Sequence, residues 1–286
     1  MKKLYLILAA LLLVASCKKK DDVLVPVRIH VNDFTITQDT LPSKDGIPDY
    51  NGVKAVTLAF YKTSDGSEQY KVNQFRNDAS TYTTFGDFSL SLPMGSYTMV
   101  VLGYGLNEGE PAITLTSPTS ATFGDYPARE TFVATQAVNI TNTTAVELSA
   151  TLSRVVSKLR ISSTDGCTEN AVSVRTTLSA GGKAFNPSTG LATSNTGFIN
   201  VLPIQSAVGI STNSISYLFL ATDEQSMTVT IDVLNALEES VSHKVVENVP
   251  LKRNCLTQLT GSLYNAGSST EFEINTTWLD TIVFPF

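Results

Sequence analysis

Residues 145–163 read AVELSATLSRVVSKLRISS. Val146, Leu148, Ala150 and Leu152 put apolar side chains on even positions, and Val155, Leu159 and Ile161 put them on odd ones. A period of two is the pattern of a half-buried β-strand. A shift of one residue sends the side chains of a strand to its other face. Two readings account for the shift. One is a bulge within a single long strand. The other is a chain that leaves one β-sandwich near Leu152 and enters a second near Val155. The second reading divides the chain near its middle into halves of ordinary domain size, and it is the one adopted.

Outward from this stretch the same period recurs. Val25, Val27, Ile29 and Val31 alternate with Pro26, Arg28, His30 and Asn32. Val56-Leu58-Phe60, Phe88-Leu90-Leu92, Tyr97-Met99-Val101 and Val229-Ile231-Val233 alternate likewise. Gly, Pro, Asn and Asp clusters separate them, among them Pro42 to Gly52, Asp65-Gly66, Pro93 to Gly95 and Asp165-Gly166. There is no long amphipathic helix pattern and no repeat of fixed period. Many short strands between turn signals predict an all-β chain of sandwich architecture. The end of the chain is also strand-like: Phe272 and Ile274 alternate, followed by Trp278, Ile282, Phe284 and Phe286. A terminus of alternating aromatics needs burial, either in its own domain or in a partner.

Composition excludes several functions. The 286 residues are 42% hydrophobic, so the chain is not of the disordered class, and only 16% charged against an average of about 25%. The net charge is −6 with no basic tract, which argues against nucleic-acid partners. Two His and three Cys speak against a multi-ligand metal site. No G-x-S-x-G elbow is present, and acids such as Asp232, Glu238 and Glu239 show no glycosidase arrangement. His30 and His243 are isolated on predicted strands. The expectation is a protein without catalytic residues, cofactor or metal. Ser43 to Asp49 contains D-G-x-x-D but lacks the earlier acids of a calcium loop, so it reads as a turn. Cys167 and Cys255 are open to a disulfide in an exported protein, but spacing alone sets no geometry, and two buried free thiols are the reading preferred. Asp39-Thr40-Leu41 and Asp280-Thr281-Ile282 fit a short D-T-apolar glycosylation pattern.

The N-terminus reads as an address. Lys2 and Lys3 precede an apolar run from Leu4 to Val14, the length of a signal-peptide core and too short to span a bilayer. Val14-Ala15-Ser16-Cys17 resembles the bacterial lipobox. There the thiolate of the cysteine attacks the lipid donor, and Cys17 becomes the acylated first residue of the mature chain. Several acyl chains on one residue give stable anchoring, at about 0.8 kcal/mol per buried CH₂. Lys18 to Lys20, then Asp21 and Asp22, form a solvated tether that loosely fits a surface-export signal.

Four motifs now point to one family. They are the lipobox at Val14 to Cys17, the turn Leu92-Pro93-Met94-Gly95-Ser96-Tyr97 entering a strand, Leu152-Ser153-Arg154-Val155-Val156-Ser157-Lys158-Leu159, and Val249-Pro250-Leu251-Lys252-Arg253-Asn254-Cys255-Leu256-Thr257-Gln258-Leu259-Thr260-Gly261. In this order the chain resembles the fimbrillin-like lipoproteins of Bacteroidales, the subunits and anchors of type V pili. It departs from their pattern at Ser157 and at Cys255-Leu256.

The resemblance implies two tandem transthyretin-like Greek-key β-sandwiches behind a lipoprotein signal peptide. The boundaries are 1–16 signal peptide, 17–26 lipidated tether, 27–153 N-terminal sandwich and 154–286 C-terminal sandwich, with a candidate donor strand at 271–286. It implies partners: other fimbrial subunits in a homo- or heteropolymer, the outer membrane through the lipid, and a host or bacterial surface ligand. In polymerising members a protease cuts after an Arg, frees the first strand, and leaves a groove for a neighbour's C-terminal strand. Anchors keep their lipid and are not cut. Arg28 is the nearest candidate processing residue here; the bland reading makes it an outward-facing strand residue that is never cut. Ile274, Trp278, Ile282, Phe284 and Phe286 are the candidate donor side chains. The competing class is a surface glycan-binding lipoprotein of a nutrient-uptake locus. Such proteins usually present aromatic platforms to sugar rings, and the sole Trp, Trp278, lies in the terminal strand.

Overall fold

The computed structural model describes residues 23–34, 53–76, 85–265 and 273–278. These residues form β-strands and no helix. The first half contributes β1 (Leu24–Phe34), β2 (Ala55–Lys62), β3 (Glu68–Phe75), β4 (Asp87–Pro93), β5 (Gly95–Tyr104), β6 (Thr114–Ser117), β7 (Ser120–Thr122), β8 (Thr131–Ile140) and β9 (Val146–Arg154). The second contributes β10 (Ser157–Ser163), β11 (Ser173–Leu178), β12 (Ala184–Asn186), β13 (Leu191–Ala192), β14 (Phe198–Pro203), β15 (Asn213–Leu218), β16 (Glu224–Leu234), β17 (Ser240–Lys252), β18 (Cys255–Gly261) and β19 (Glu273–Trp278).

In the first half the strand order is β3-β2-β5-β8-β9-β1-β4. Only Phe132 and Val133 of β8 pair with Arg154 and Ser153 of β9, so the sheet folds over at that point into two facing layers. The alternation dictates what lies between them. Val25, Val27, Ile29 and Val31 of β1 and Phe88 and Leu92 of β4 meet Val56, Leu58 and Phe60 of β2 and Tyr97, Met99 and Val101 of β5. In the second half, β15-β10-β18-β19 faces β14-β11-β16-β17. Their core includes Leu159, Ile161, Leu218 and Leu259 against Val174, Val229, Ile231, Val233 and Leu251.

The two halves repeat one topology although their sequences do not repeat. β4-β1-β9 corresponds to β15-β10-β18, and β3-β2-β5-β8 corresponds to β14-β11-β16-β17. In each half the first strand lies parallel to the last of its core, β1 with β9 and β10 with β18. Those parallel pairings are closed by long crossovers rather than hairpins, the feature that a Greek key produces. β19 is an addition beside β18 that has no counterpart among the described residues of the first half.

The halves are also joined, which the sequence did not reveal. β6 and β7 from the first half and β12 and β13 from the second make one four-stranded sheet, in the order β13-β12-β7-β6. β7 pairs with β12 through Thr122–Ala184 and Ala121–Phe185. Beneath it lies a third core, built from the outer faces of β2 (Ala55, Ala59, Tyr61) and β5 (Val100, Leu102, Tyr104) with Phe123, Phe185 and Phe219. Phe185 stacks on Phe219 at 4.1 Å between ring centroids. This explains why β2 is buried on both faces, where alternation predicts one. Burial pushes the Tyr61 hydroxyl up to about 12, with the charge of Glu68 adding to the effect.

Candidate functional site

The motif residues named above have identifiable work. In the β4–β5 turn, the buried Tyr97 donates its hydroxyl to the Pro93 carbonyl at 2.8 Å and packs edge-on against Phe60. A Cβ on Gly95 would lie 3.3 Å from the Tyr97 hydroxyl oxygen, so the ring closes over glycine. Arg154 and Asn254, from two separate motifs, meet at the junction. Arg154 is buried, pairs with Glu130 at 2.7 Å, donates to the Asn254 side-chain oxygen at 3.2 Å and lies over the Phe132 ring. The linker between the sandwiches is fastened on both sides: Val155 N–H donates to the Thr131 carbonyl, and Asn254 N–H donates to the Val156 carbonyl. Gly190 has φ +73°, and a Cβ there would come 2.6 Å from Val155 Cγ1, so only glycine fits. A cleft of about 620 Å³ opens beside this junction, lined by Thr135, Ser153, Ser188, Asp223, Lys252 and Arg253 among others. Its acids and bases pair with one another, Arg253 with Asp223 and Lys252 with Glu224.

The first strand is the element on which the sequence places function. β1 lies between antiparallel β4 and parallel β9. It begins at Leu24, so Leu24, Val25 and Pro26, assigned to the tether by sequence, pair with Pro93, Leu92 and Ser91. Val25, Val27, Ile29 and Val31 are at most 2% exposed. Arg28 faces outward and pairs at 3.4 Å with Glu147, both side chains largely in water. Such a pair contributes about 0–1 kcal/mol. Its main chain is another matter: Arg28 is in register with Ser89 and Glu147, and Ile29 with Phe88 and Leu148. A protease binds its substrate as an extended strand, and both edges of this one are occupied. The Arg28–Ile29 bond is reachable only when β1 leaves the sheet.

Ile274 and Trp278 fall in β19, in register with Leu259 and Cys255 of the protein's own β18. Cys17, Ile282, Phe284 and Phe286 lie outside the described residues, as do the Ser43 to Asp49 turn and both D-T-apolar triplets. Cys167 and Cys255 are both buried free thiols. Neither histidine is isolated: His30 contacts Asp87, and His243 lies 2.7 Å from Asp232. Burial works to raise the Asp232 carboxyl, but hydrogen bonds from His243, Arg175 and Ser240 outweigh it and hold the group below the usual carboxylate range. Among the described residues no group of His, Cys, Asp and Glu is placed to hold a metal ion, and no helix is long and apolar enough to cross a membrane.

These features can be set beside known proteins. A family model covers residues 56–283, and the chain belongs to that family, described as a family of unknown function (DUF6562). No curated protein matches it. Among solved structures, a candidate adhesin from Bacteroides ovatus aligns with a TM-score of 0.51 at 14% identity, over 94% of this chain and 98% of the other. A second candidate adhesin, from Bacteroides ovatus ATCC 8483, aligns with a TM-score of 0.50 at 14% identity, over 82% and 87%. The fimbrial anchor protein Mfa2 from Porphyromonas gingivalis aligns with a TM-score of 0.49 at 12% identity, over 90% and 99%. At these identities the two Bacteroides likenesses establish a shared fold.

Proposed function

We propose that the protein is a non-enzymatic cell-surface fimbrial subunit or anchor. It is acylated at Cys17, held at the outer membrane, and assembles with other subunits by β-strand exchange to support adhesion. The observation that carries the reading is the seating of β1. It is the first described strand, it occupies the groove between β4 and β9, and its four inward residues pack into the core. The tether that precedes it leads directly to the lipobox cysteine. Each buried Val or Ile contributes about 1.5–3 kcal/mol, so the groove holds about 6–12 kcal/mol of apolar burial that a replacement strand must restore. A replacement of alternating apolar residues does so and pairs the exposed backbone edges. The 271–286 segment of a neighbouring subunit has that pattern at Ile282, Phe284 and Phe286. The fold shared with candidate adhesins of Bacteroides ovatus supports the same reading. The division at 153/154 belongs to the proposal, with one sandwich receiving and the other donating.

The test is the mature N-terminus, identified by mass spectrometry in material sheared from cells. An N-terminus at Ile29 in heat-dissociable polymers makes this a polymerising subunit with Arg28 as its processing site. An acylated Cys17 confined to the membrane, in complex with fimbrial subunits, makes it an anchor. An acylated protein that stays with the membrane, binds glycan and never co-purifies with fimbriae overturns the proposal.

A further inference from the structure

The second sandwich is polar along one flank where the first is apolar. β15 corresponds to β4 of the first sandwich. The inward residues of β4 are Phe88, Leu90 and Leu92, whereas those of β15 are Ser214, Ser216 and Leu218. Ser214 and Ser216 are in register with Ile161 and Leu159, so they face the same core. In the facing sheet β11 carries Thr176 between Val174 and Leu178, where its counterpart β2 carries Leu58 between Val56 and Phe60. Ser214, Ser216 and Thr176 are 5%, 3% and 1% exposed. Their hydroxyls have no hydrogen-bond partner among the described residues. The first sandwich builds the same topology with aliphatic and aromatic residues at these places. The architecture therefore does not require the hydroxyls, and burying them unpaired costs stability.

A cavity of about 290 Å³ opens on this flank, between β14 and β15, and Ser214 lies in its wall. Val174, Leu202 and Ile204 give it branched aliphatic sides. Gln205 and Asn213 stand exposed at its rim. Asn213 accepts the Ser162 hydroxyl through its side-chain oxygen at 2.7 Å, which leaves its NH₂ for another acceptor. Arg129, from the first half, is the one charged residue among those that line the cavity. Glu110 neutralises it through Nε and one terminal nitrogen, and the other terminal nitrogen remains for an acceptor. The lining thus combines a buried hydroxyl, two carboxamides and a neutralised guanidinium with aliphatic walls. A sugar ring matches that set. Its hydroxyls both donate and accept, as a serine hydroxyl and a carboxamide do, and its C–H face packs on Val, Leu and Ile. The Arg129–Glu110 pair removes the positive charge that an anion would seek. The volume lies at the small end of ligand sites, ~300 Å³, which suits one ring rather than a chain of them.

We propose that this cavity binds a single neutral sugar residue, the terminal unit of a glycan. Ser214 is its buried hydrogen-bonding anchor, and Gln205, Asn213 and Arg129 are its rim contacts. This gives a ligand class to the adhesion in the fimbrial reading and rests on that reading for its biological role, but its test does not depend on fimbriae.

The test is saturation-transfer NMR on the purified full-length protein. The probes are glucose, galactose, mannose and N-acetylglucosamine, with N-acetylneuraminic acid as the charged comparator. At least one neutral sugar is expected to bind at millimolar concentration and to slow amide exchange at 202–206 and 212–215. Ser214→Ala is expected to weaken that binding about fivefold or more without lowering the temperature of unfolding, because the hydroxyl it removes has no partner in the free protein. Leu202→Trp fills the cavity and is expected to abolish binding. Gln205→Ala, on the exposed rim, supplies a second loss of binding should the tryptophan disturb the fold. Binding that is indifferent to all three substitutions would put the sugar elsewhere and overturn the proposal. So would the failure of every neutral sugar to bind, or binding of the acidic sugar alone. Conversely, sugar binding at this cavity in a protein that never enters fimbriae would leave the site standing and remove the fimbrial reading.

Discussion

Asp165 offers the sharpest quantitative test of the fold. Its carboxylate gathers the chain that leaves β18. Oδ1 accepts the Leu263 N–H at 2.8 Å, and Oδ2 accepts the Tyr264 and Asn265 N–H groups at 2.9 and 3.0 Å and the Ser262 hydroxyl at 2.5 Å. Asp165→Asn is nearly isosteric, yet whichever way its amide turns, the NH₂ faces at least one donor that the carboxylate now accepts, and the charge is lost. Hydrogen bonds to a charged acceptor are about twice as strong as neutral ones. Discounted for the half-exposed position of Asp165, the substitution is expected to destabilise by about 2–4 kcal/mol at pH 7. The sign with pH is fixed. Burial works to raise the carboxyl, but the hydrogen bonds from Ser262, Leu263, Tyr264 and Asn265 outweigh it, so its value in the folded protein lies below the unfolded one. The stabilisation is complete above the unfolded value of about 3.9 and is lost as pH falls through the folded value. Urea unfolding of both proteins at pH 7, 5 and 3 measures it. The difference should hold from pH 7 to 5 and shrink at pH 3. A difference under about 0.5 kcal/mol at pH 7, or one undiminished in acid, would refute the account of Asp165 as a charged clamp.

Three further outcomes are expected. Phe219→Ala removes the ring stacked on Phe185 and should cost about 3–5 kcal/mol, measured by thermal unfolding. Thr176→Val replaces a fully buried hydroxyl that has no hydrogen-bond partner and should stabilise by about 1 kcal/mol in the same assay. Gln74 is fully buried, donates to the Asp87 carbonyl at 2.6 Å and accepts the Gly86 N–H at 2.8 Å, bridging β3 to the start of β4. Gln74→Ala strands both backbone groups and should cost about 2–4 kcal/mol, with faster amide exchange at Gly86 as its local signature.

What the sequence disclosed follows from where each strand lies. β1, β4 and β16 have one core face and show it as alternation, so Val25 to Val31, Phe88 to Leu92 and Val229 to Val233 were legible. The shift between Leu152 and Val155 marks the passage from a strand paired with β1 to one paired with β15 and β18. The sheet that unites the halves was illegible, because β7, β12 and β13 are two or three residues long and too short to show any period. A signal existed elsewhere: Ala55 to Tyr61 is apolar on both parities except at Thr57, which a strand with a single core face does not require. The topological repeat was hidden for a similar reason. Strand order is set by backbone pairing, and unlike side chains can support the same order.

The junction has a mechanical meaning. Val155 and Val156, the two residues between the sandwiches, are themselves core residues, 4% and 0% exposed. A hinge needs backbone that can turn without breaking contacts. Here Val155 is tied to the first half and Val156 to the second, Arg154 reaches across to Asn254, and β7 and β12 bridge the joint at a second point. Tension on the chain is shared by two connections instead of passing through one covalent thread. If the proposed assembly forms, its bending would concentrate at the contacts between subunits rather than at this doubly connected junction.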